Sequence, residues 1–127
     1  MISIGLPNIL KACLGYIVII LMDAIWLPFA TYMEFYPKFD DTHILFAILA
    51  WMSIATLLSC GDVSSGKDAA IFGMYVGLIA YSTWNFTEAT VHKEWRNTAI
   101  LFDLTYGTLL CAFTGFVVYK IDSLIQI

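Results

Sequence analysis

Gly61-Asp-Val-Ser-Ser-Gly-Lys67 is the stretch on which the reading of this chain turns. Glycine, serine and aspartate crowd into it, a composition that breaks an element rather than continuing one. Apolar runs lie on both sides, about 42–60 before it and 69–90 after it. A turn this short makes those two runs antiparallel neighbours. Two further runs, about 8–29 and 98–119, flank the pair. Each is close to the ~20 residues that a membrane-spanning helix needs. The pattern predicts an all-α fold: an integral membrane four-helix bundle with short loops. Residues 1–127 would form a single transmembrane domain, multi-pass, with both termini on one side.

Composition agrees. The chain is 61% hydrophobic and only 13% charged, with a mean hydropathy of +0.83, values of a membrane protein rather than a soluble one. The lipid bilayer is therefore the expected partner, with a second copy or a larger membrane complex as candidate protein partners. Net charge is −4 and no basic run occurs, which argues against nucleic acid and against a polybasic lipid anchor. Lys11, Lys67 and Lys120 fall on the terminal side, and Lys38, Lys93 and Arg96 on the other. The tie leaves membrane sidedness open. Cys13, Cys60 and Cys111 share no spacing typical of zinc or disulfides and read as small packing residues. The first run is too long for a signal-peptide core and carries Asp23, so a retained helix is expected.

Local signals suggest boundaries. Asn8 is a candidate cap for the first helix, and Pro28 is expected to kink or end it. The aromatic segment Thr31–Phe39 suits the membrane–water interface, and Asp40-Asp41-Thr42 offers a start for the second helix. The polar stretch Val91–Asn97 separates the third and fourth, with Asn97 or Thr98 as a cap. Gly73 and Gly77 form a G-x-x-x-G step, and Gly107, Cys111 and Gly115 a matching stripe. Small residues let helix backbones approach where lipid gives no hydrophobic drive, so these read as packing positions.

Asp23, Glu88 and Asp103 are the residues that need explaining. A lone charge in hydrocarbon costs roughly 2.5 kcal/mol or more and marks a site or a partner. Counting along the runs at ~1.5 Å per residue puts Asp23, Asn85 and Asp103 roughly 6–9 Å inside one leaflet, with Glu88 shallower. Tyr81, Asn85, Glu88 and His92 share a face of the third helix, Asp23 and Trp26 one of the first, and Asp103, Tyr106, Gly107 and Leu110 one of the fourth. Thr87 lies one position off. The expectation is a polar pocket opening toward loops 30–41 and 91–97. Asp103 would accept from Tyr81 or Thr87, and Asp23 from Trp26 or Tyr106. The alternative weighed equally is that these groups only tie helices together.

Met22-Asp-Ala-Ile-Trp-Leu27, Tyr81-Ser-Thr-Trp-Asn-Phe-Thr87, Trp95 and Phe102-Asp-Leu-Thr-Tyr-Gly-Thr108 appear in that order. The order resembles the pattern of the small predicted membrane proteins known as domain of unknown function 2177, over nearly the whole chain. By that resemblance Asp23, Trp26, Tyr81, Thr87, Asp103 and Gly107 hold the family's characteristic positions. Asn85 stands where an aspartate is expected, and Glu88 where a neutral residue is. The acid has in effect moved about one turn along the third helix.

The functional expectation is a small transporter or channel-like protein that handles protons or a small polar solute. Its proton-handling or binding residues would be Asp23, Trp26, Tyr81, Asn85, Thr87, Glu88 and Asp103. Glu88 and His92 are spaced i, i+4, whereas the di-iron pattern is Glu-x-x-His, so no metal and no cofactor is expected. No catalytic nucleophile motif is present, which disfavours an enzyme. The alternatives are a non-catalytic subunit of a larger membrane assembly and a lipid-headgroup-modifying enzyme, with His92 at the rim of its pocket.

Overall fold

The structure is a computed structural model and describes residues 6–35, 44–94 and 97–125. Four helices make up the fold: α1 (Leu6–Tyr32), α2 (Ile44–Ser59), α3 (Gly66–Val91) and α4 (Asn97–Ile125). No strand occurs among the described residues. α3 and α4 share the most extensive contact, α1 and α2 the next, and α1 also lies along α4. Paired positions fix the directions. Gly73 meets Cys111 and Gly77 meets Gly107, so α3 and α4 are antiparallel. Lys11 meets Asp122 and Asp23 meets Tyr106, so α1 and α4 are antiparallel too. α1 and α3 thus run the same way, and both described chain ends lie at one end of the bundle, here the terminal end.

Helix boundaries shift from expectation, most at α1, at the end of α4 and at the start of α3, which begins at Gly66 inside the expected turn. α1 starts at Leu6, which puts Asn8 inside the helix rather than at its cap. It also continues through Pro28. Proline removes one backbone donor, yet the helix runs on because its following turns stay paired. Met33 N–H donates to the Phe29 carbonyl at 2.9 Å and Phe35 N–H to the Ala30 carbonyl at 3.0 Å. Glu34, with φ of 55°, turns the chain out in the left-handed region. α4 extends six residues past the expected end, to Ile125, and Asp122 in that extension pairs with Lys11 at 3.1 Å. The proposed start signal at 40–42 and Trp95 lie outside the described residues.

The turn at 61–67 works as a cap. Ser65 accepts from the Asp68 N–H at 3.0 Å, and Ser64 donates to the Asp68 carboxylate at 2.6 Å. An acid in the first turn also suits the positive end of the helix dipole. The Ser64 hydroxyl first, and Ser65 after it, hold the Asp68 carboxyl below the usual carboxylate range.

Large apolar side chains face outward on every helix. Leu21 and Ile25 on α1, Phe46 and Leu49 on α2, Tyr75 and Ile79 on α3, and Leu101 and Leu109 on α4 are all exposed. The interior, by contrast, holds Asp23, Asn85, Asp103, Ser59 and Thr114. α1, over Asn8–Tyr32, and α4 are long and apolar enough to cross a membrane. α2 has 16 residues. α3 has the length, but its second half carries Ser82, Thr83, Asn85, Thr87 and Glu88.

Candidate functional site

Three layers of side chains cross the bundle beyond its middle. The first is apolar: Ile19 of α1, Ala55 of α2 and Leu110 of α4 are almost fully buried together, with Tyr81 of α3 against them. One helical turn further along α1 comes the polar layer. Asp23 is 4% exposed, Asp103 2% and Asn85 0%. The third layer is aromatic: Trp26 with Phe29, Phe35 and Phe102.

Within the polar layer the acids are held by side chains of neighbouring helices. Asn85 of α3 donates its side-chain amide to Asp103 Oδ2 of α4 at 2.6 Å and to the Tyr81 carbonyl at 2.8 Å. Tyr106 of α4 donates its hydroxyl to Asp23 Oδ1 of α1. The Trp51 side chain of α2 interacts with the same carboxylate, and Asp103 lies close enough for its charge to act on Asp23. All four helices therefore contribute to one level. Tyr106 is positioned from its other face by Trp26, whose ring stacks on it at 4.2 Å with an interplanar angle of 5°. Tyr81 meets Tyr106 edge-on at 6.5 Å and covers Gly107, where any side chain would collide with the Tyr81 ring. Such offset and edge contacts suit the ring quadrupoles.

The structure thus brings Asp23, Trp26, Tyr81, Asn85 and Asp103 together. It leaves Glu88 and Thr87 aside. Glu88 meets His92 Nε2 at 3.2 Å, and His92 Nδ1 faces Glu94 at 3.5 Å, so the last turn of α3 forms its own polar group. Thr87 is exposed. Asp103 accepts from Asn85 rather than from Tyr81 or Thr87. Trp51 was not anticipated. Its depth along α2 was the available signal, since it lies about 10 Å in from the start of that helix at ~1.5 Å per residue.

The described residues differ at the two ends of the polar layer. Toward loops 30–41 and 91–97 the acids are covered by aromatic rings: Phe35 is buried and stacks on Phe102 at 5.1 Å. A cavity of about 340 Å³ lies at the other end, between Lys11, Ser59, Asp62, Phe72, Gly115 and Asp122.

An apolar exterior wrapped around buried carboxylates, hydroxyls and an amide is the arrangement of a helical membrane protein, the inverse of a soluble bundle. The chain belongs to the family described as predicted membrane protein, DUF2177, which it matches over residues 9–120. No curated protein and no solved structure matches it.

Proposed function

We propose that all four helices cross the bilayer and that the protein is a small transporter or channel-like protein whose polar layer handles protons, or a small polar solute. The exposed apolar face on each helix, α2 and α3 included, supports four spans. At ~1.5 Å per residue α2 covers about 24 Å, and a bilayer thins locally to meet a span of that length at modest cost.

One observation carries the proton reading. Among the described residues, the groups near Asp23 include Tyr106, Trp51, Tyr81, Cys111 and Asp103. The first four carry no positive charge and the fifth is another acid. A charge buried without a fixed counter-charge is costly, and a mobile proton can remove that cost. Tyr106 can donate to the ionised carboxylate or accept from the protonated one, because a phenol does both. The layer therefore has partners for two protonation states of Asp23 without rebuilding.

Flux across liposomes containing purified protein tests this with an internal pH dye. Asp23→Asn with Asp103→Asn keeps the shapes and removes titration. The expected result is a drop in proton flux of tenfold or more, with the helical content retained. Equal flux from wild type and double variant would sink the proposal.

A second reading rests on the direct contacts. Asn85 to Asp103 and Tyr106 to Asp23 each join two helices, and buried polar bonds of this kind contribute about 0.6–2 kcal/mol in membranes. If fastening is the whole role, the double variant unfolds more easily while wild type shows no flux at all.

A further inference from the structure

The polar layer lies between unequal neighbours. On one side is the aromatic layer of Trp26, Phe35 and Phe102. On the other, one apolar layer, Ile19 with Ala55 and Leu110, separates it from a region of small side chains. There Gly15 faces Ala55, Thr114 and Val118. Val118 and the adjacent Gly115 line the cavity of about 340 Å³, whose surroundings include the Lys11–Asp122 ion pair and the buried Ser59. Along α1, Lys11, Gly15, Ile19 and Asp23 are spaced by four residues, or about 6 Å per step. Cavity, small-residue level, apolar layer and acid thus follow one another at single-turn intervals.

Thr114 gives this sequence its chemistry. The residue is 0% exposed, and its Oγ1 is buried with no hydrogen-bond partner. Thr105 and Thr108 on the same helix each donate to a carbonyl four residues back, the usual way for a helical threonine to satisfy itself. An orphaned buried hydroxyl forfeits the hydrogen bonds it would make in water and is costly to keep. Water is the partner that such a group takes when a cavity is within reach.

We infer that water and the protons it carries reach Asp23 from the terminal end of the bundle, through the cavity and past the Thr114 hydroxyl, with Ile19 and Leu110 as the layer that must part to admit them. This rests on the proton-handling reading and gives it a side. The route has a polar mouth, a polar step at Thr114 and one apolar barrier. The opposite side offers stacked rings.

Side-specific labelling tests the route without requiring flux. Protein with Cys13→Ser and Cys60→Ser is placed in liposomes, and its orientation is read from protease access to a terminal tag. Leu58→Cys, on the cavity wall, and Ala30→Cys, beneath the aromatic rings, are each exposed to a small membrane-impermeant thiol reagent. Leu58→Cys is expected to react from the terminal side at least tenfold faster than Ala30→Cys reacts from the far side. Equal rates, or the reverse order, overturn the inference.

Two milder variants test the Thr114 step. A methyl at Gly15 would meet Ala55, Thr114 and Val118 at 3.6–3.7 Å, ordinary contact, so Gly15→Ala fills the space at no steric cost. Thr114→Val keeps the shape and removes the hydroxyl. Each is expected to slow the exchange of the acid-layer carboxyl protons into heavy water, followed by the carboxyl infrared band, by about tenfold with melting unchanged or raised. Unchanged exchange overturns the step. Absence of proton flux with the labelling asymmetry intact would refute the transport reading and leave the route standing.

Discussion

α4 is held on its two flanks by opposite means. Against α3 it presents backbone: Gly73 meets the Cys111 carbonyl, Gly77 the Gly107 carbonyl, and Gly115 the Ala69 carbonyl. Against α1 it presents side chains: Tyr106 to Asp23 and Trp26, and Asp122 to Lys11. With all four helices in the bilayer, as proposed above, lipid offers them no hydrophobic reason to associate, and close van der Waals contact supplies the attraction in the first seam. The second seam is polar and aromatic, and rotamer changes can loosen it. The contrast teaches where this bundle is rigid and where it has room to work: α3 and α4 form a fixed pair, and α1 meets that pair through groups that can change partners.

The largest expected effect comes from breaking the rigid seam. Gly73→Val or Gly77→Val puts side-chain atoms into the backbone of α4, which cannot yield as a rotamer can. Overpacking costs of about 1–3 kcal/mol, and more where the obstacle is backbone, should appear as loss of monodisperse protein or a sharply lower melting temperature in detergent. If either variant melts like wild type, the seam is not rigid and the comparison fails.

Next is the polar seam. Tyr106→Phe removes the donor to Asp23 and leaves a buried acceptor short of a partner, a cost of about 1–3 kcal/mol. Thermal unfolding of Tyr106→Phe in the Asp23→Leu background should recover much of that loss, because no acceptor is then stranded. Additive losses would show that the two side chains do not act through each other.

A smaller effect is expected at the rim. Lys11 and Asp122 are about a quarter exposed, and pairs of that kind contribute about 0–1 kcal/mol. Lys11→Met should lower stability within that range, with the difference fading in high salt. A larger loss would mean that the extension of α4 is held chiefly by this pair.

The smallest is a pH effect at the α3 cap. Asp68 has its carboxyl held below the usual range by the Ser64 and Ser65 hydroxyls. A lowered folded value means that its contribution is complete above the unfolded value, about pH 4, and is lost as pH falls through the lower folded one. Asp68→Asn should therefore flatten the acid limb of the stability curve and leave the neutral region nearly unchanged. An alkaline change instead would reverse the sign of the argument.

Much of the fold was legible because turn chemistry and apolar length are local signals. Residues 60–65, most of the expected turn, separate α2 from α3, and 92–96 separates α3 from α4. Ends were less legible. Pro28 reads as a kink or a stop, and of the two the stop is excluded: α1 continues through it because the turns beyond remain hydrogen-bonded. The apolar run stops at 119, but α4 continues to Ile125, where Asp122 pairs with Lys11 of another helix, a partner invisible in a local window.

At the polar layer, depth counting correctly brought Asp23, Asn85 and Asp103 to one level, since helical rise is fixed. Identity of partners was harder. Glu88 shares a stripe with Asn85, but the i, i+4 imidazole of His92 takes it at the helix end. Trp51 sits in an otherwise apolar helix and gave no polar neighbour to mark it. The rings on the side of loops 30–41 and 91–97 were read as a rim. Phe35 stacked on Phe102, with Trp26 tilted against Phe35, makes a cover over the acids on that side.

The glycine seam also bears on how the molecule comes together. Gly73, Gly77, Gly107 and Gly115 have no rotamers to freeze, so closing α3 on α4 carries almost none of the side-chain entropy cost that long residues impose. That hairpin is joined by a short connection and needs nothing from the first half of the chain to find its register. A polypeptide severed within 60–63, between α2 and α3, and co-expressed as two pieces should therefore reassemble, the second piece supplying a finished surface on which α1 and α2 settle.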